Sequence, residues 1–204
     1  MAGDGRIDGR SLRFRHRRPQ LLAAATEYVL DHGVGGLSLR PVAAALGVTH
    51  ATLLRHFSSK DELVLSVLDK IRDDLAEQLT SDPEYRAARS MAELIRAVWR
   101  RLCEPREQRQ FLLLFEIVGH HSWEADADRE LGRILIGGWV DIIIGRLARD
   151  ERPAEDATAL ATLILAQIRG LQIDLLVTGD RERADRALEL SLRLLATDRP
   201  DTGD

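Results

Sequence analysis

Glycine and proline cut this chain into segments that share one period, the helical one. Pro19 stands where a first helical turn tolerates it, and Gly33 stands where a helix stops. Pro83, Pro105 and Pro153 mark further starts, with Gly119 and Gly179 as stops. No run alternates with period two between turn pairs, and aromatic residues are only 4% of the sequence. The expectation is an all-α fold of about nine helices. The later ones fall near 83–103, 105–119, 127–149, 153–179 and 181–196.

Local signals sharpen the N-terminal part. Ser38 and Thr49 are placed to cap two short helices on either side of Gly47. Ser59 and Glu62 have the spacing of a capping box, and Val64, Val67, Leu68, Ile71 and Leu75 follow at helical intervals.

Charge divides the chain near residue 60. Residues 1–60 hold nine Lys/Arg against four Asp/Glu, a net of +5, while residues 61–204 carry −9. A basic head on an acidic body suits a polyanion partner, because neutralising phosphates supplies most non-specific nucleic-acid affinity. A solvated basic tail would give the same asymmetry. The single cysteine, Cys103, excludes an internal disulfide framework and points to a reducing, cytoplasmic compartment. The first twenty residues lack the apolar core of a secretory signal. The longest apolar stretch, residues 134–145, contains Asp141 and is too short to span a bilayer, so no membrane partner is expected.

The stretch "LRPVAAALGVTHATLLRHF" reads as two short helices with a Gly-Val joint. At 100° per residue, Leu53 and Phe57 define the buried side of the second, and Val42, Leu46 and Val48 can wall them in. The opposite side presents Ala51, Thr52 and Arg55, flanked by Leu54 and His56. Small residues, a hydroxyl and an arginine let a helix approach a duplex closely, and Arg55 can reach a phosphate or a guanine edge. This is the helix-turn-helix design, in which the first helix braces the second for entry into a major groove.

Residues 21–64 resemble the N-terminal domain of the TetR family of bacterial transcriptional regulators. The features that carry the resemblance are an Ala-rich first helix ending in "DHG", then "LSLRPVAAALGV", then "LLRHFSSKDEL". The resemblance implies a homodimer, most often a repressor, whose third helices read a pseudo-palindromic double-stranded operator. It places Ser38 and Arg40 at phosphates. Thr49, His50, Ala51 and Thr52 lie in the leading part of the recognition helix, and His56 and Lys60 at the DNA backbone. Leu54 stands where the family often has tyrosine, so it either meets a thymine methyl or packs. The implied organisation is a basic arm over 1–17, a DNA-binding domain over 18–60, a ligand-binding and dimerisation domain over 61–197, and a tail over 198–204. The stretch from Arg6 to Arg18 carries six arginines, which suit either an adjacent minor groove or solubility alone.

The resemblance further implies a small-molecule effector in the body. The central helix, 127–149, is apolar all round and should run through the interior, with Asp141 as a candidate buried acid. Trp99, Phe111, Phe115 and Trp139 are the apolar pocket candidates, with Glu116 and Gln167 as polar contacts. Taken singly, each of these residues is better accounted for by ordinary core packing. Leu160, Ile164, Ile168, Leu171 and Leu175 form one stripe, and Leu188, Leu192 and Leu195 a second, together expected to be a dimer seam. His120 and His121 near Asp126 and Asp128 match no tight metal-ligand spacing, and no nucleophile motif or phosphate loop appears. Neither a metal nor a cofactor is expected. The competing reading is a helical enzyme or small-molecule-binding protein with a vestigial helix-turn-helix.

Overall fold

In the computed structural model of the chain, residues 9–120, 131–148 and 154–197 are described. They form α1 (Gly9–His32), α2 (Leu39–Ala45), α3 (His50–His56), α4 (Lys60–Ser81), α5 (Pro83–Ala87), α6 (Met91–Leu102) and α7 (Pro105–His120). A π-helical turn (Arg133–Gly137) leads into α8 (Gly138–Leu147), followed by α9 (Ala154–Thr178) and α10 (Arg181–Thr197). The described residues contain no strand.

Three boundaries differ from the sequence reading. The first helix begins at Gly9, so Pro19 is interior to α1 and part of the basic arm is helical. Residues 10–18 hold no glycine or proline to stop a helix. The segment expected at 83–103 is two helices. Ser90 ends the first by capping the second, accepting the Glu93 amide at 3.2 Å while Glu93 accepts the Arg89 amide at 2.7 Å. Gly119 does not end α7, which continues to His120.

The chain divides into two compact units. The first comprises residues 1–76 and 113–134. Its core is built by Ala25 and Val29 of α1, Val42 of α2, Leu53 of α3, Phe57 after it, and Leu63 and Val67 of α4, all essentially inaccessible. The turn between α2 and α3 is a Schellman motif. The Val48 amide donates to the Ala43 carbonyl at 3.0 Å and the Gly47 amide to Ala44 at 3.1 Å. Gly47 has φ +66°, which a residue without a Cβ adopts at little cost.

The second unit comprises residues 77–112 and 135–204. Ile95, Trp99 and Cys103 of α6 pack with Ile164, Ile168 and Leu175 of α9 and Ala184, Leu188 and Leu192 of α10. Leu160 and Leu171 are partly buried against this cluster. The leucine and isoleucine stripes expected at a dimer seam therefore face the unit's own core. Periodicity locates an apolar stripe but not its partner, and here α6 supplies the opposite wall. The side chain of Leu195 lies outside the described residues. Polar links close the same seam: Trp99 Nε1 donates to Asp185 at 2.6 Å, and Arg96 forms a two-pronged pair with Glu189 at 2.6 and 2.7 Å.

Candidate nucleic-acid interface

The α2–α3 corner is set by its buried side. Leu53 and Phe57 are wholly buried, as is Val42 beneath them, which fixes the rotation of α3 about its axis. Thr49 caps α3, its Oγ1 accepting the Thr52 amide at 3.1 Å and lying 2.9 Å from the Thr52 hydroxyl. Ser38 holds the N-cap position of α2 but makes no side-chain capping bond, so its exposed hydroxyl is left for other partners. Ser59 Oγ accepts the Glu62 amide at 3.0 Å, while Glu62 reaches Ser58 instead of closing the box on Ser59, taking its amide at 2.9 Å and hydroxyl at 2.5 Å. Those bonds hold the Glu62 carboxyl below its usual value.

The exposed face carries Ser38, Arg40, Thr49, Ala51, Arg55 and Lys60, with Leu54 at 37% exposure. His50 and Thr52 are partly covered. His56 departs from its expected place: it is 5% exposed, so its ring packs inside the corner. Burial, and then the charges of Arg18, Arg55 and Arg17, push its pKa below the usual histidine value. Lys60 reaches back to the Val34 carbonyl at 3.2 Å.

Two contacts around the corner are not legible from sequence. Arg18 stacks over Phe57 at 5.0 Å, donates to the His56 carbonyl at 3.2 Å and pairs with Glu62 at 3.3 Å. It therefore braces the corner, although it sits at the end of the arginine-rich arm. Glu116 accepts the amides of Val34 at 3.0 Å and Gly35 at 2.6 Å, so its carboxylate holds the α1–α2 loop. From sequence alone it reads as an effector-pocket contact.

The other pocket candidates differ in burial. Trp99 is core, 2% exposed, and its indole is satisfied by Asp185. Phe111 is buried, Phe115 is 37% exposed, and Trp139 and Gln167 are partly covered. Asp141 is exposed, as are Ile136 and Ile142, so the central segment presents one side to solvent and Asp141 is no buried acid. His121, Asp126 and Asp128 lie outside the described residues, and so do the side chain of His120 and the 198–204 tail. Among the described residues no group of His, Cys, Asp and Glu could hold a metal ion.

Comparison with known proteins agrees with this geometry. Residues 21–67 match the model of "Bacterial regulatory proteins, tetR family". An HTH-type transcriptional repressor of Mycobacterium tuberculosis, Rv3405c, is 39% identical over 62 residues, or 30% of this chain and 33% of the relative. The chain thus spans a third of that relative's length. An HTH-type transcriptional regulator of Mycobacterium bovis, Mb1846, is 30% identical over 155 residues, or 71% of this chain and 65% of the relative. The crystal structure of a putative TetR-family transcriptional regulator from Rhodococcus sp. superposes with a TM-score of 0.71 at 20% identity, covering 89% of this chain and 97% of that one. Residues 21–67 are thus a helix-turn-helix segment of the tetR family of bacterial regulatory proteins, and the chain as a whole has the helical fold of the solved TetR-family regulator.

Proposed function

We propose that the protein is a dimeric, effector-responsive transcriptional repressor that binds a pseudo-palindromic DNA operator in the cytoplasm. The observation that carries this reading is the α2–α3 corner. It is braced from within by Leu53 and Phe57 and presents Ser38, Arg40, Thr49, Ala51 and Arg55 outward. Ser38 and Arg40 are assigned to phosphates, and the leading part of α3, from Thr49 to Thr52, to base edges. Arg55 reaches either. Lys60 and His56 act through the fold instead, by holding the loop and filling the corner.

Dimerisation is assigned to a face outside the expected seam. On α9, Leu163, Ala166, Gly170, Ile173 and Val177 are all exposed. They alternate by three and four residues and fall within about 80° of one another on the helix. Leu190 and Leu194 of α10 are exposed as well, at 51% and 62%. A Cβ built on Gly170 meets nothing within 4 Å, leaving room for a close second helix. By length and composition the 157–178 segment could cross a membrane. A lipid-facing helix is apolar all round, whereas this one has an apolar sector bordered by Arg169 and Asp174, which fits a second copy of the chain.

The effector is assigned to the second unit. A ligand preferring the non-binding state about 100-fold supplies about 2.7 kcal/mol, enough to empty a marginally occupied operator. Footprinting on DNA flanking the protein's own gene tests the whole reading. The expected result is protection of two half-sites about 34–36 Å apart or a multiple of that. Retention on DNA with no sequence preference and no paired footprint would refute it.

A further inference from the structure

We infer that the flank of α9 bearing Arg169 and Gln172 is the anchor of an anionic effector, an organic carboxylate on an apolar frame. The inference rests on the reading of the second unit as the effector-binding body. Arg169 and Gln172 lie one turn apart on α9, between the stripe that faces the core cluster and the exposed apolar face. Arg169 is partly buried, and its Nη2 donates to the carbonyl of Leu135 in the π-helical turn. No carboxylate pairs with it among the described residues. Its pKa is lowered by desolvation alone, without the opposing pull of a neighbouring acid. Gln172 is 7% exposed and makes no hydrogen bond among the described residues.

Neither group is sealed from solvent. A guanidinium has five N–H donors, of which one is used here, so its remaining donors and the Gln172 carboxamide are open to an incoming ligand. The turn it faces is π-helical, a geometry that recurs at functional sites. A carboxylate answers both groups at once: the guanidinium fork accepts it in two-pronged fashion, and the Gln172 amide can add a third donor. Leu165 and Ile168 on the same stretch of α9 are buried, which favours a single negative charge on an apolar frame over a dianionic phosphate, whose desolvation costs more.

Thermal shift and calorimetry on the full chain test this with straight-chain carboxylates from hexanoate to hexadecanoate and with substituted benzoates. Each acid is paired with its primary amide as a neutral match. At least one carboxylate should stabilise the protein and bind more tightly than its amide, and Arg169→Met should weaken that carboxylate roughly 10- to 100-fold while leaving the amide unchanged. Arg169→Lys should keep part of the preference, because the charge remains and the fork is lost. Without ligand, Arg169→Met should melt close to the wild type, since the guanidinium has no carboxylate partner and its one hydrogen bond, to the Leu135 carbonyl, is offset by its own desolvation. A clear loss of melting temperature there would make Arg169 a structural brace and overturn the proposal. Amides binding as well as the acids would overturn the anionic class while leaving the effector reading intact. Silence from both series would overturn the proposal and count against an effector site in this unit.

Discussion

Oε1 of Glu116 lies 2.6 Å from the backbone nitrogen of Gly35 and 3.0 Å from that of Val34, so one carboxylate satisfies two amides of the loop ahead of α2. Gly33 makes the approach possible. It has φ +72°, and a Cβ placed on it would come within 2.5 Å of the Glu116 carboxylate. Lys60 holds the same loop from α4 through the Val34 carbonyl. Glu116→Ala should therefore destabilise the first unit by about 1–2 kcal/mol and loosen the mounting of α2, because two amides lose a charged acceptor. Hydrogen exchange at Val34 and Gly35 reads this directly. Unchanged protection at both amides would show that the loop does not depend on the carboxylate. Gly33→Ala should cost at least as much, since it adds backbone strain to the collision.

Arg55→Ala should weaken operator binding by about 1–3 kcal/mol without lowering the melting temperature. Arg55 is exposed, and the buried residues that fix α3 are Leu53, His56 and Phe57. Operator titration at fixed salt is the measurement. Unaltered affinity and sequence preference in a folded variant would mean that α3 presents a different face to DNA.

The corner is legible in the sequence because a short-range code specifies it. Thr49 caps, Gly47 turns through positive φ, and Leu53 and Phe57 share a face, so local residues dictate both the joint and the rotation of α3. The body is legible as helices but not as faces. On α9, Ile164, Ile168 and Leu175 have the spacing of a dimer seam and are core. A stripe at helical spacing reads the same whether it faces α6 or a second subunit, and only the tertiary partner decides. The roles of Arg18 and Glu116 escape a sequence reading for a related reason. Arg18 reaches across 38 residues to a carbonyl, and Glu116 across 81 to an amide, and no local pattern announces either backbone group.

The exposed stripe of α9 separates assembly from folding. Gly170→Trp should fold, because the position faces open space, yet it should drive the dimer toward monomer and lower operator affinity with it. Val177→Glu, at a site 80% exposed, should do the same. Leu188→Glu should instead unfold the second unit, since that side chain is 3% exposed within the core cluster. Sedimentation and circular dichroism on the three variants distinguish the faces. A dimer that survives both Gly170→Trp and Val177→Glu would move the interface elsewhere.

Cys103 should be chemically silent in the folded protein. It is 8% exposed, and burial pushes its thiol up to about 12, so almost no thiolate is present at neutral pH. Iodoacetamide should label it only after denaturation. Rapid labelling of native protein near neutral pH would show that the α6 end opens readily.

The buried ring of His56 gives the first unit a pH dependence of definite sign. Burial, aided by the charges of Arg18, Arg55 and Arg17, lowers its pKa in the folded state from the ordinary value of 6.5. Between that lowered value and 6.5 the unfolded chain binds the proton more readily, so stability rises with pH. The contribution is fully present above pH 6.5 and is lost as the pH falls from 6.5 through the folded-state value. Glu62 adds a separate loss at lower pH, since its depressed carboxyl begins to matter only below its ordinary 4.5. Thermal unfolding from about pH 5 to about pH 7.5 should show the melting temperature of the wild type falling toward the acid side. His56→Gln should flatten that slope whatever it does to the absolute melting temperature, because the replacement has no proton to gain. An equal slope in the two proteins would mean that His56 takes up its proton as readily in the folded corner as in the unfolded chain, against the burial and the three arginines around it.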